Sequence, residues 1–429
     1  LIDASDRWIF TNCEIKSSVV WYRVLNDSCL PRRIRGSHTP VSSSTLPYMY
    51  PTIKRTCWSP HATDVKWTNM ICPKPDHSCH RNICSFARIP GKKTWQRFSR
   101  AYTHLYRTFF HGWSFRSLDE YTSAISRQFD RIKKPTTQSP SAGGAGTNTY
   151  CPPAGGASQK QKPRCKICGC ELDHPAVVVS DAGQAFEALS KEAISNAHDD
   201  LFGKAKKCGY AGSMQVLHTS KAQVAFGGDP LTNYRDRTII LLTSLIKVIT
   251  AFLGMCQYKI GTRILQQAKG IPIGGTFSAA ILDCVLSFLE TQYDIKHPSR
   301  LVEVLTGRYV DDLLLISLLR CRNCLIVLIR RVYGAHISFD LDSSQTIIDG
   351  VVVQPFLDCV LYVSWDSISF GSYPKNFKFA WSGDPGLIKK HILEPYLGFF
   401  DRHVLSRHRG ELQGRLKRWQ SITHCPSVW

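Results

Sequence analysis

The chain has 429 residues, 43% of them hydrophobic, which is enough to fill more than one core and excludes a disordered protein. Its 17 cysteines are scattered over too long a chain for a secreted disulfide scaffold. The formal charge of +21 is concentrated at the ends, with 22 Lys/Arg against 9 Asp/Glu in residues 1–150, 26 against 22 in 151–400 and 6 against 2 in 401–429, a distribution that suits a polyphosphate partner.

The chain begins at Leu1 rather than Met, as a piece of a longer protein would. Its first residues lack the basic-then-apolar pattern of a secretory leader, so a nuclear or cytoplasmic, non-secreted protein with free thiols is expected. Residues 1–94 form a basic N-terminal region without sustained periodicity. Cys72, His77, Cys79, His80 and Cys84 gather there, but their spacing matches no zinc pattern and reads as chance. Residues 95–175 open with aromatic and basic residues interleaved from Trp95 to Phe129. This pattern predicts a helical pair whose rings either offer stacking faces to a nucleic acid or face an ordinary core. Ser139 to Gly156 is a linker rich in Ser, Gly, Ala and Pro. Cys165, Cys168, Cys170 and His174 follow, but the last lies almost against the next strand, and the group is read as chance rather than as a metal site.

From Ala176 the pattern becomes regular. Ala176 to Ser180 predicts a strand, Gln184 to Asn196 a helix, Arg237 to Met255 a long apolar helix and Ser278 to Tyr293 another. Thr238 to Met255 has near-membrane length, but Lys247 in its middle favours a buried helix over a span, and no membrane partner is expected. Leu301 to Leu319 predicts a β-hairpin turning near Asp311, although Leu313 to Leu319 alone also fits a helix. Val351 to Val363 supplies further strand, and Leu387 to Trp419 a basic amphipathic helical tail. Strands and helices without regular alternation indicate an α+β fold.

Two adjacent acids inside an apolar run need a physical reason. Asp311 and Asp312 lie between Tyr309-Val310 and Leu313-Leu314-Leu315-Ile316, where burying two unpaired carboxylates would cost several kcal/mol. A tight turn would put both at a sheet edge, where an acid ending a neighbouring strand completes a divalent-metal site. Asp181, which ends Val177-Val178-Val179-Ser180, is the natural third ligand, although an aspartate in that position alone is more often a helix N-cap.

Tyr309-Val310-Asp311-Asp312 resembles the Tyr-x-Asp-Asp box of reverse transcriptases. Val177 to Phe186 resembles that family's first catalytic motif, an apolar strand ending in Asp with an aromatic five positions later. Lys269 to Ser278 resembles its Gly-rich motif, and Phe356-Leu357-Asp358-Cys359-Val360 its primer-gripping hairpin. The motifs stand in the family's order across roughly residues 176–365. The resemblance implies a right-hand polymerase with a palm of antiparallel sheet backed by helices (residues 176–370, with an insertion). Fingers would come from within 95–175 and the insertion, and a thumb-like basic helical segment from 371–429. It implies an RNA-directed DNA polymerase of retroelement type, using an RNA template, a DNA primer and deoxynucleoside triphosphates. Asp181, Asp311 and Asp312 would be catalytic and hold Mg²⁺, with Mn²⁺ as a substitute. Phe186, Gly270, Pro272, Gly274 and Tyr309 would bind nucleotide and template, with Phe186 excluding a 2′-hydroxyl. The chain departs from the family in having Ile273 where many relatives carry Gln. It also has no lysine between Lys296 and Lys375, which leaves His336 or an arginine to act as proton donor to pyrophosphate. Asp311 follows Asp181 by 130 residues, a longer interval than in compact retroviral enzymes and one that telomerase and some eukaryotic retroelements also extend. A telomerase-type enzyme and a catalytically decayed nucleic-acid-binding remnant are the alternatives.

Overall fold

The hydrophobic periodicities resolve into helices and antiparallel sheets in the computed structural model, which describes residues 8–11, 48–53, 80–85, 92–133 and, short stretches aside, 162–372. Cys72, His77, Cys79, the linker, Asp358 and the tail from Leu387 lie outside the described residues. The chain divides into two units interleaved along the sequence. One comprises Leu1–Gly112, Gln184–Thr291 and Ala335–Ile337, the other Trp113–Gly183, Gln292–Gly334 and Ser338–Trp429.

In the first unit, β1 (Trp8–Thr11), β2 (Tyr48–Ile53), β3 (His80–Ser85), β8 (Gln257–Ile260) and β9 (Arg263–Gln267) make a five-stranded sheet in the order β1-β9-β8-β2-β3. A second sheet orders β6 (Val224–Phe226), β5 (Ser213–Leu217) and β7 (Arg237–Leu241). Helix α1 (Lys92–Phe109) fully buries Trp95, Phe98, Tyr102 and Leu105, so the first half of the aromatic run faces a core rather than a nucleic acid. Buried within it, the Tyr106 hydroxyl donates to Asp283 Oδ2 at 2.5 Å, and Arg107 reaches the same oxygen at 3.1 Å.

Two predicted helices change. Gln184–Asn196 is instead a short α3 (Ala185–Ala188) and a longer α4 (Lys191–Lys207). Ser190 separates them, extended at φ −75°, ψ 150°, because its hydroxyl caps α4 by accepting from Ala193 N at 3.0 Å. The run from Arg237 to Met255 begins as strand β7, which pairs antiparallel with β5, and only then becomes α5 (Leu242–Gly254). Thr238, Ile239 and Ile240 are β-branched and suit a pleated surface, but an apolar run reads alike in either state until a partner strand is present. Among the described residues no helix is long and apolar enough to cross a membrane.

In the second unit, β4 (Ala176–Ala182) sits inside a sheet ordered β10 (Leu305–Tyr309), β11 (Asp312–Ser317), β4, β12 (Phe339–Leu341), antiparallel throughout. The single-turn α7 (Arg300–Glu303) leads into β10. Leu313 to Ser317 is strand, not helix. A second antiparallel sheet runs β13 (Thr346–Ile348), β14 (Val351–Phe356), β15 (Cys359–Val363), β16 (Ile368–Ser372). Val177, Val179, Leu314 and Ile316 share one face of the first sheet. They pack in a single core with Tyr121, Ile125 and Phe129 of α2 (Leu118–Lys133) and with Val352, Phe356 and Leu361 of the second sheet. On the opposite face Val178, Leu313 and Leu315 are buried, and α8 (Arg322–Tyr333) packs along β4.

Candidate active site

The strand alternation that places Val177 and Val179 in the core carries the same face on to Asp181, two residues further along β4. Across the ladder the Cα partners are Val177 with Ile316, Val179 with Leu314, and Asp181 with Asp312. Directly opposed residues project to the same face, so one register sets the apolar pairs in the core and the two aspartates where the core ends. All three sequence-predicted acids, Asp181, Asp311 and Asp312, are half-buried.

Tyr309 pairs with Asp312, which leaves Val310 and Asp311 as a two-residue hairpin loop. Val310 has φ 57°, a left-handed conformation that a β-branched residue adopts only under constraint. The constraint is visible in its surroundings. The buried Arg308 donates from its guanidinium to the Val310 carbonyl at 2.8 Å, and Ala182 N donates to the Asp311 carbonyl at 3.0 Å. Arg308 is itself clamped on the outer edge of β10, where its N–H donates to Trp113 O at 2.8 Å and its carbonyl accepts from Phe115 N at 3.1 Å. Tyr309 is exposed, with its ring 5.6 Å from that of Phe115.

A fourth carboxylate belongs to this edge. Asp340 of β12 is the Cα partner of Asp181 on the side away from Asp312, so three aspartates stand abreast on β11, β4 and β12. A Cβ added at Gly183 would meet Asp340 Oδ2 at 2.8 Å, so the glycine leaves room for that carboxylate. Nothing in His336-Ile337-Ser338-Phe339-Asp340 signals this in the sequence, because β12 is three residues long and its place depends on β4. Among the described residues, the group of three or more candidate ligands whose donor atoms all lie within 4.8 Å of one another is a set of four cysteines, not these aspartates. The aspartates share an edge and a face by register.

The predicted nucleotide-binding residues of the Gly-rich segment come together in the first unit. Gly270, at φ 74°, lies against the backbone of α3, where an added Cβ would collide with Phe186 O and stand 2.6 Å from Glu187 Cα. Ile271 N donates to Phe186 O at 2.6 Å. Phe186, itself half-buried, is thus tied by its backbone to the Gly-rich loop. Pro272 is buried and its carbonyl accepts from Gly275 N at 3.1 Å, a turn that leads into α6 (Ser278–Lys296). Gly274 is at φ 91°, with Cys84 O 2.5 Å from the position of a Cβ, and Cys84 N donates to Ile273 O at 2.8 Å. Ile273 thus anchors this loop through its backbone carbonyl. Phe186, Gly270, Pro272 and Gly274 belong to the first unit, and Asp181, Tyr309, Asp311 and Asp312 to the second.

No protein-family model matches the chain, and no curated protein matches it. Solved structures similar to it include telomerase from Candida tropicalis in complex with a fragment of telomeric RNA, at TM-score 0.46 and 12% identity over 80% of this chain and 52% of that one. The apo telomerase from the same organism gives TM-score 0.46 and 12% identity, over 87% and 57%. Telomerase from Candida albicans with a telomeric RNA fragment gives 0.42 and 13%, over 89% and 58%. The chain thus spans a little over half the length of each.

Proposed function

We propose that the chain is an RNA-directed DNA polymerase of the reverse transcriptase kind, with a right-hand palm formed by the β10-β11-β4-β12 sheet. The observation that supports this reading is the register that sets Asp181 opposite Asp312, beside a two-residue turn holding Asp311. A structural hairpin has no need of an acid beside a β-branched residue at φ 57° in its turn, with a second acid opening the next strand.

Mg²⁺ fits the donor set, since it takes oxygen ligands from a few carboxylates and leaves positions for substrate phosphates. Asp181 and Asp311 would be its main ligands, with Asp312 a weaker one. When bound, it supplies a lowered pKa for a primer 3′-hydroxyl and neutralises charge on the leaving pyrophosphate. The protein's own part is to hold the acids at fixed register on two strands of a packed sheet, with Arg308 and the Ala182 N–H fixing the turn. Phe186 is proposed as the residue that excludes a 2′-hydroxyl, and Gly270, Pro272 and Gly274 as the loop that lets backbone approach the nucleotide and template.

Primer extension on an RNA template in the presence of Mg²⁺ tests the reading. Asp181→Asn and Asp311→Asn should each lower the rate by about three orders of magnitude or more, with primer–template affinity and melting temperature little changed. Near-wild-type extension by either variant would sink the assignment.

A further inference from the structure

The polymerase reading leaves unused a group of cysteines that the fold draws together from two separate segments of the second unit. Cys165, Cys168 and Cys170 precede β4, and Cys321 stands at the N-cap of α8, more than 150 residues later. Their four sulfur atoms all lie within 4.8 Å of one another. Cys168 Sγ is 3.3 Å from Cys170 Sγ and 3.6 Å from Cys321 Sγ, and a fifth thiol, Cys324, lies 3.7 Å from Cys165 Sγ. The corners of a tetrahedron with Zn–S bonds of about 2.3 Å are roughly 3.8 Å apart, so these separations are those of ligands around one ion.

The backbone is shaped for the same purpose. Cys165-Lys166-Ile167-Cys168-Gly169 turns back on itself, with Gly169 N donating to Cys165 O at 2.9 Å and Gly169 at φ 75°. Cys321 N donates to Cys165 Sγ at 3.3 Å. N–H groups turned toward sulfur in this way stabilise a thiolate, which is the form that binds metal. Lys166 N also donates to Leu319 O at 2.9 Å, so the two segments are already joined beside the thiols.

We propose that Cys165, Cys168 and Cys321, with a fourth thiolate from Cys170 or Cys324, bind one structural Zn²⁺. An all-sulfur tetrahedral set suits zinc, and sulfurs this close leave no space for a multi-iron cluster between them. Four protein ligands close the coordination sphere, so the ion has no open position for substrate. Its place in the fold agrees with that. Ala176 pairs with Ser317 at the cysteine end of β4 and β11, while Asp181 pairs with Asp312 at the other end, five residues or about 17 Å along the strands. The ion would clamp the chain entering β4 to the chain leaving β11, and so hold from behind the two strands that carry the acids. This site does not depend on the polymerase reading, since it rests on the cysteines alone.

The test is metal content and Co²⁺ spectroscopy on the full chain purified under reducing conditions. Wild type should carry about one zinc per chain. Replacing it with Co²⁺ should produce sulfur-to-cobalt charge-transfer absorption and the strong visible bands of a tetrahedral ion. The double variants C165S/C168S and C170S/C324S should lose the metal, while C208S, at an exposed cysteine of the first unit, should keep it. Since a double variant that fails to fold would also lose metal, the wild-type cobalt spectrum is the second readout. Absence of thiolate bands there, iron in place of zinc, or full zinc in both double variants would overturn the proposal.

Discussion

At the scale of single residues, Asp312 shows what register adds to a motif. Asp311 and Asp312 are adjacent in sequence, yet one lies in the hairpin loop and the other begins β11 opposite Asp181. Asp340 completes a row of three that no spacing announces. Phe186 carries the sharpest residue-scale prediction, because under the proposed function it would separate DNA from RNA synthesis through one side chain. If its ring blocks a 2′-hydroxyl, Phe186→Val should raise ribonucleotide incorporation by roughly tenfold or more while deoxynucleotide use falls less than that. A ring that only anchors α3 would instead give equal losses of both reactions and a melting temperature lowered by the cost of a cavity. Both incorporations and the melting curve should be measured on the same variant.

At the scale of elements, the Gly-rich segment joins sequence to structure most directly. Gly270 is at positive φ and abuts the backbone of Phe186 and Glu187, so a methyl group there has no flexible neighbour to displace. Gly270→Ala should destabilise the first unit by about 2 kcal/mol or more, through backbone strain and through separation of the loop from α3. Gly169→Ala has the φ penalty alone, since nothing lies within 4 Å of its Cβ position, and should cost about 1 kcal/mol. Urea unfolding of the two variants side by side checks the ranking, and equal midpoints would remove the close-approach argument.

At the scale of the whole molecule, the basic N-terminal charge and the buried core overlap along the chain. The compact units interleave, and α1 and α2, within the basic first 150 residues, supply buried core. Truncation at 150 would therefore remove structural helices along with charge. A cleaner probe is the tail, where Arg415, Lys417 and Arg418 are close in sequence. Affinity for primer–template should fall log-linearly with salt, and changing all three to alanine should lower the slope by about one unit for each phosphate that these side chains neutralise in the wild type. An unchanged slope would assign these charges another purpose.

The α+β class, the hairpin at Asp311 and the helix opening at Ser278 were legible in the sequence, because alternation and turn signals are local properties of the chain. The strand character of Arg237–Leu241 was not legible, since an apolar run takes its conformation from its partner, here β5. The aromatic run from Trp95 left stacking and core burial open, and only packing settled Trp95, Phe98 and Tyr102 as core. The cysteines make the same point most strongly. Cys165, Cys168 and Cys170 read as chance because His174, the fourth candidate ligand, lies almost against the next strand, and Cys321 and Cys324 were invisible as partners across more than 150 residues. Antiparallel pairing of β4 with β11 brings Ser317 beside Ala176, and with it the chain that follows β11 to the chain that precedes β4. Ligand sets and carboxylate rows depend on which strands lie side by side, and long-range pairing is a property of the tertiary structure.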